Sequence, residues 1–408
     1  MSKCLVAQSG GPTAVINATL AGIVKANQMN PIYDAVLGGL NGIEGVLNER
    51  FVDLSDMSEE ENLILQQTPS SALGACRYKL KRYKIEDFEK IISIMDKHDI
   101  ETLFYIGGND SMDTVAALTE YCAEKGITNH RFIGCPKTVD NDLIQTDHCP
   151  GFGSAAKYIS STALGTWLDL NVYPASRKEV FILETMGRDA GWLAASACLS
   201  GIVDILIVPE RSFEKDVFLE EVKKHIESKS KCYVVVSEGA HFADGTYIAA
   251  GQTGGSEFFG RAVLGGAAKA LEQMILESGV APRCRVLDLS TSQRSGMMEQ
   301  SLVDRTESYR LGMSAHMRSA DPSFKGKMVA VRRKPGELYK VEYFAIDADK
   351  VANFVRNFPD EWILPDYAGV TEEALHYMRP LIEGSPVIIM KNGLPDYMQP
   401  YFLRDENK

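Results

Sequence analysis

Two doubly wound α/β domains with a C-terminal extension are the fold this sequence predicts, and three observations carry that prediction. Short apolar runs bounded by polar residues or glycine recur along the chain, with the length and composition of strands covered on both faces. Between them lie segments whose apolar residues repeat at spacings of three and four, as on the buried stripe of a helix. This alternation gives largely parallel sheets. The 408 residues also exceed the roughly 250 to 300 at which one hydrophobic core stops growing, so two cores are expected.

Taken in order, the first strand is Leu5-Val6-Ala7, and a helix follows over Ala14 to Val24. Phe88, Ile91, Ile92 and Met95 mark a second helix, leading into the strand Leu103-Phe104-Tyr105-Ile106 and a helix from Met112 to Tyr121. Phe132-Ile133-Gly134-Cys135 is the next strand. In the second half, the runs Val180 to Leu183, Ile205 to Val208 and Val234 to Val236 are strands, and Phe218, Val222 and Ile226 recur every four residues on a helix. Past about residue 346 the chain becomes denser in proline and aromatics (Phe354, Phe358, Pro359, Trp362, Pro365, Tyr367), which predicts an appendage wrapping the second domain.

A composition of 45% hydrophobic and 24% charged residues is that of an ordinary globular protein and excludes disordered, collagenous and membrane-spanning classes. Asp and Glu number 55 against 43 Lys and Arg, a net charge of −12 that repels polyanions, so nucleic acid and anionic membranes are excluded as general partners. An anionic small substrate then requires a local cluster of Lys, Arg and backbone N–H groups. The eight cysteines include no C-x-x-C pair and no metal-ligand spacing, as expected of a reduced, cytoplasmic protein. The N-terminus turns polar and glycine-rich after Leu5-Val6-Ala7, too soon for a signal peptide, and no run approaches the ~20 apolar residues of a membrane span.

Ligands of open α/β sheets bind beyond the carboxyl ends of strands, so the residues after each run carry the chemistry. Gly10-Gly11 separates the first strand from its helix; the pair serves either a plain tight turn or close approach of a phosphate to a helix N-terminus. In Gly107-Gly108-Asn109-Asp110-Ser111, Asp110 and Ser111 suit N-caps, while the glycines suit a ligand. Pro136-Lys137-Thr138-Val139-Asp140-Asn141-Asp142 combines a cation, a hydroxyl and two carboxylates, beyond what an Asx-turn needs: a phosphate clamp with a general base or metal-binding acid. Thr185-Met186-Gly187-Arg188 is another strand-to-helix turn, in which Arg188 is either a solvated cap or a ligand. Arg285 and Arg294, nine apart, could grip one phosphate, and Glu238 at a further strand end could accept sugar hydroxyls.

In this order and combination, Gly10-Gly11, Gly107 to Ser111, Pro136 to Asp142, Met186-Gly187-Arg188, Glu238 and Gln293-Arg294 resemble the phosphofructokinase family over about residues 3 to 345. The resemblance implies a donor-binding domain of residues 1–150 with about 293–345, and a sugar-phosphate domain of 151–292 with about 346–408. It implies that Asp140, with Lys137 and Asp142, is catalytic, Asp140 acting as base toward the 1-hydroxyl of fructose 6-phosphate. Gly10, Gly11, Asp110 and Lys137 would bind the phosphoryl donor. Thr138, Asp140, Thr185, Met186, Gly187, Arg188, Glu238 and Arg294 would line the sugar phosphate site, with Arg285 and Lys178 reaching in from a neighbouring subunit of a homodimer or homotetramer. Thr291 stands where many members have histidine.

Asp110 and Lys137 replace glycines of the ATP-using members and match the pyrophosphate-using branch. The carboxylate would fill and charge the place of a nucleotide's α-phosphate, and the lysine would supply a cation to a short donor. Mg²⁺ is implied as cofactor, at Asp110 and Asn109. Two rival functions share these residues: an ATP-dependent enzyme of the same fold, and a catalytically silent regulatory subunit that binds sugar phosphates.

Overall fold

The structure, a computed structural model, describes residues 2–404 apart from 77, 251–256, 259–260, 263–264 and 337. Its strands, in chain order, are β1 (Lys3–Gln8), β2 (Val36–Gly39), β3 (Phe51–Asp53), β4 (Ile100–Gly107), β5 (Arg131–Pro136), β6 (Glu179–Thr185), β7 (Ile205–Ile207), β8 (Lys231–Ser237), the short pair β9 (Glu257–Phe258) and β10 (Arg261–Ala262), then β11 (Cys284–Asp288), β12 (Lys327–Arg333), β13 (Val341–Asp347) and a second short pair, β14 (Met390–Lys391) and β15 (Leu394–Pro395). They form two main sheets, one ordered β13-β12-β5-β4-β1-β2-β3 and the other β11-β6-β8-β7. The second is wholly parallel. The first is parallel at its centre and closes with antiparallel partners at both edges, β3 against β2 and β13 against β12.

Both sheets are covered on both faces, which is why their strands read as continuous apolar runs. Along β1 and β4, Leu5, Ala7, Leu103 and Tyr105 pack toward Phe88, Ile91, Met95 and Met112. Cys4, Val6, Phe104 and Ile106 point the other way, toward Ile16, Leu20, Ile23 and Leu311. The period-2 alternation therefore exists but is invisible in hydropathy, since both faces are apolar. The second sheet repeats the arrangement, with Phe181, Leu183 and Tyr233 facing Phe152, Ile159 and Trp192, and Val180, Ile182 and Val234 facing Phe218, Val222 and Leu271.

The helices predicted from periodicity are present as Ile16–Met29, Ile85–Lys97, Asn109–Glu124 and Lys215–Lys229; the first starts two residues later than expected and runs five further, and the others extend beyond their expected spans at both ends. Asp110 and Ser111 do not cap: Gly108 occupies the N-cap position and no side chain caps the helix, which places Asp110 inside the first turn. The C-terminal extension departs from its expected course. Phe358, Val370, Met378 and Leu381 pack with Trp192 on the second sheet. Met398 and Tyr401, however, pack with Val6 and Leu20 on the first, where the Tyr401 N–H donates to the carbonyl of Ala72 at 2.8 Å. The extension therefore reaches both cores, because its last apolar residues find a pocket beside the turn at 68–73.

The helix Ile16–Met29 crosses the helix Leu302–Ser319 with almost no space between the backbones. A Cβ on Gly22 would stand 2.0 Å from the Tyr309 carbonyl oxygen, and one on Gly312 would stand 2.0 Å from that of Thr19. Gly312→Ala gains up to ~1 kcal/mol of helix propensity yet forces the helices apart, an overpacking that costs about 1 to 3 kcal/mol. The expected outcome is a net fall in melting temperature for Gly312→Ala and for Gly22→Ala; a rise for either would show that the helices yield freely.

Candidate active site

Strands β5, β4 and β1 are neighbours, so the three turns at their carboxyl ends lie side by side. Lys137 stitches them together. Its side chain is only 3% exposed, its Nζ donates to the Gly11 carbonyl at 2.6 Å, and its backbone N–H donates to the Gly107 carbonyl at 3.0 Å. The glycine at position 10 has a positive φ of 74°, and a Cβ there would stand 3.2 Å from Lys137 Nζ, so the lysine needs the glycine. Burial lowers the lysine pKa to about 8, with Asp140 and Asp142 opposing and Arg294 adding to the fall.

The loop after β5 holds its carboxylates by local bonds. The Asp140 N–H donates to Thr138 Oγ1 at 3.2 Å, and the Cys149 N–H donates to Asn141 Oδ1 at 2.9 Å. Asn141 takes the left-handed conformation at φ 54°, which Asn tolerates better than most side chains. The Asp140 carboxyl is pushed up to about 7, by burial first and then by the carboxylates of Asp142, Glu238 and Asp189, with Lys137 opposing. Asp142 is also raised by burial, against the pull of Lys137, Thr138 and Arg356.

Glu238 directly follows β8 and Asp189 lies in the turn after β6, so carboxylates at the strand ends of the second sheet act on Asp140. There, the Met186 N–H donates to Gln293 Oε1 at 3.2 Å and the Gly187 N–H to Glu238 Oε1 at 3.4 Å. Gly187 has a φ of 126° with the Ala190 carbonyl 2.7 Å from a would-be Cβ, a conformation and space reserved for glycine. Thr185 is buried and donates to the Met186 carbonyl at 3.0 Å. Burial raises the Glu238 pKa, while the Gly187 N–H and Arg188 pull it down.

Arg294 reaches back to the first sheet: its Nη1 would stand 3.1 Å from a Cβ on Gly11. A hollow of about 480 Å³ lies beside this turn, lined by Gly10, Gly11, Asn41, Arg50 and Arg294 among others. It opens on the β2 side, and neither Asp110 nor Asp140 lines it, so it adjoins the reacting groups without containing them.

Several expected residues have local partners that alter their use. The Gly10 N–H is spent on the Cys76 carbonyl at 3.3 Å, which takes it out of the set of donor-facing amides. Both polar atoms of the Asn109 side chain are engaged by the backbone of the extension, its amide donating to the Phe354 carbonyl and its Oδ1 accepting from the Asn353 N–H. Asn109 is thereby tied to the extension, with one lone pair of its Oδ1 taken. Asp110 pairs with Lys79 at 2.9 Å, both exposed. Lys79 is a basic group that motif reading missed, although the run Lys79, Lys81, Arg82 could have signalled it. Arg356, which bonds the 141–147 loop, and Trp192, which holds Arg356, are not singled out by motif reading.

Arg285 and Lys178 are not brought to this site. Arg285 pairs in register with Phe181 near the start of β6, where it bonds Asp169 at 2.6 Å and Glu179 at 2.9 Å. Lys178 is exposed and precedes β6. At about 3.3 Å per residue, Arg285 and Lys178 lie roughly 16 and 26 Å along the sheet from Met186, respectively.

The phosphofructokinase profile, described as Phosphofructokinase, matches residues 3–318. The chain belongs to the phosphofructokinase family. It is 38% identical over 398 residues to the pyrophosphate--fructose 6-phosphate 1-phosphotransferase of Halomonas elongata, covering 95% of this chain and 94% of that one. The protein of the same name from Xanthomonas campestris is 38% identical over 404 residues, covering 97% and 95%. Among solved structures, the pyrophosphate-dependent phosphofructokinase of Marinobacter aquaeolei superposes with a TM-score of 0.87 at 33% identity, over 98% of this chain and 96% of that one. Within the family architecture, the geometry offers a buried cation, a carboxylate and facing polar strand ends, enough to neutralise an anionic donor and deprotonate a hydroxyl.

A carboxyl pushed up to about 7 is ionised less readily folded than unfolded, so wild type loses stability as pH rises from about 4 to about 7. Asp140→Asn is therefore expected to melt higher than wild type at pH 8, with the difference shrinking as pH falls toward 4. Its turnover should drop by about 10² to 10⁴. Melting curves across pH together with steady-state rates check both, and a variant that retains more than about a tenth of wild-type turnover would remove Asp140 as the base.

Proposed function

We propose that this member of the family transfers a phosphoryl group from pyrophosphate to the 1-hydroxyl of fructose 6-phosphate, giving fructose 1,6-bisphosphate and phosphate, a reaction that runs in both directions. The observation that carries the reading is Lys137, a buried ammonium held on the Gly11 carbonyl within the field of Asp140 and Asp142. It puts a fixed cation where a short, highly charged donor must be neutralised, and it does so at a position that ATP-using members keep as glycine. Asp140 accepts the hydroxyl proton, and its pKa near 7 matches that task at neutral pH. Thr138, Thr185, Met186, Gly187, Arg188, Glu238 and Arg294 hold the sugar phosphate in line with the donor.

Mg²⁺ fits the donor side. Asp110 is an exposed carboxylate in the first turn of the helix Asn109–Glu124, just after β4, and Mg²⁺ is usually held by one or two carboxylates, the remaining positions going to substrate phosphate oxygens and water. Bound there, it supplies charge neutralisation to the donor. No described helix is long and apolar enough to cross a membrane, and all eight cysteines are free thiols, which supports a cytoplasmic place for the enzyme.

The placement of Arg285 and Lys178 at the far end of β6 supports a homo-oligomer whose subunits complete each other's sugar sites. Leu164, Leu168 and Val172 are exposed on and just after the helix that carries Asp169, the partner of Arg285, and supply an apolar surface for contact. Arg285→Ala should raise KM for fructose 6-phosphate about tenfold or more, since a charge-assisted bond contributes roughly 1.5 to 3 kcal/mol. Sedimentation of a fully active monomer would rule the shared site out.

The donor is tested by kcat/KM with pyrophosphate and with ATP. Wild type should prefer pyrophosphate. Asp110→Gly should raise ATP use by removing bulk and like charge, and Lys137→Gly should lower pyrophosphate use without creating ATP use. The two effects should be non-additive, as for groups that share one ligand. A wild type that prefers ATP favours the first rival, and sugar-phosphate binding with no turnover on either donor favours the regulatory subunit.

A further inference from the structure

We infer that Arg356, in the C-terminal extension and beyond the residues matched to the family, is a positioning residue for the loop that carries Asp140 and Asp142. Its guanidinium spans that loop. Nε and Nη2 donate to the Asn141 carbonyl at 3.1 and 2.8 Å, and Nη1 donates to the carbonyls of Thr146 at 2.8 Å and of Asp147. The Arg356 N–H donates to the Asp142 carbonyl at 2.7 Å. One residue thus binds the backbone at and just after the left-handed turn at Asn141 and ties 141–142 to 146–147 at the far end of the loop.

Arg356 is itself held from outside the loop. Its guanidinium stands 4.7 Å from the Trp192 ring centroid, and its carbonyl accepts from Trp192 Nε1 at 3.1 Å. Two and three residues earlier, the Phe354 carbonyl and the Asn353 N–H engage both atoms of the Asn109 amide at the start of the donor-side helix. Residues 353–356 therefore join the donor turn, the Asp140 loop and the second sheet at Trp192. A planar fork with several fixed donors can reach these carbonyls together; a single ammonium cannot. The charge also counts, since Arg356 is among the groups that pull down the Asp142 carboxyl.

The kinetic consequence rests on the phosphotransfer reading above; the ordering of the loop does not. The test uses the full chain with Arg356→Lys and Arg356→Gln, and Arg211→Gln as control. Arg211 ties the same extension at Asp360, 2.6 Å away, without touching the loop. Three quantities are measured: steady-state kinetics with pyrophosphate and fructose 6-phosphate, hydrogen exchange across residues 138–149, and the melting temperature.

Arg356→Lys is expected to lower kcat by about 10- to 100-fold, the scale of a small misplacement of reacting groups, with KM for both substrates within about threefold of wild type. Exchange should rise within 138–149 and stay at wild-type levels in the strands of both sheets. Arg211→Gln should leave kcat and loop exchange unchanged. Arg356→Gln, which also removes the charge, should move the acid limb of the kcat–pH profile upward; if it fails to fold, Arg356→Lys decides alone. The assignment is overturned by wild-type kcat in Arg356→Lys, by a KM increase at unchanged kcat, by an equal kcat loss in Arg211→Gln, or by exchange that rises everywhere. If wild type itself shows no pyrophosphate-dependent turnover, the functional reading fails, and loop exchange in Arg356→Lys still decides the positioning role.

Discussion

The site is organised around one buried ammonium. Taking Lys137 out of water costs several kcal/mol unless the charge is compensated, and its compensation determines what surrounds it: the Gly11 carbonyl at 2.6 Å and the carboxylates of Asp140 and Asp142. Its backbone N–H on Gly107 ties β5 to the turn after β4, and its side chain reaches the turn after β1. A side chain at position 10 would crowd the ammonium at 3.2 Å. The glycine at position 10 therefore suits the lysine as well as a ligand.

The same compensation leaves the site strained in charge. Asp140, Asp142, Asp189 and Glu238 crowd one site, and one lysine cannot neutralise them all, so burial and mutual repulsion push Asp140 up to about 7. For a structural residue this would be a defect. For a base that must take a proton from a hydroxyl near neutral pH it is the useful condition, and it is bought with folding stability. Two sheets are needed to build it, because the repelling carboxylates come from the strand ends of both.

The extension closes this arrangement. It packs Phe358 and Met378 on the second core and Met398 and Tyr401 on the first, and between those anchors and β13 it runs past the loop, where Arg356 caps the carbonyls of Asn141, Thr146 and Asp147. A loop holding like charges together needs its backbone fixed, and buried carbonyls need donors. Arg356 meets both needs.

The sequence alone determined what local chemistry dictates. Apolar runs between glycine turns become strands, since strands covered on both faces must be apolar throughout, and the Pro136 to Asp142 stretch reads as a ligand turn because its residue types exceed what a turn requires, whereas the turns at Gly10 and Gly187 read equally as plain turns. What it could not determine was partnership across distance. Cys76 takes the Gly10 amide, the extension takes Asn109, Lys79 pairs with Asp110, and Arg285 lies at the far end of its strand. Arg356 meets Asn141 across 215 residues of chain. Periodicity and propensity act over a few residues, whereas these contacts depend on how two sheets and a returning tail pack, and only the tertiary structure brings such positions together.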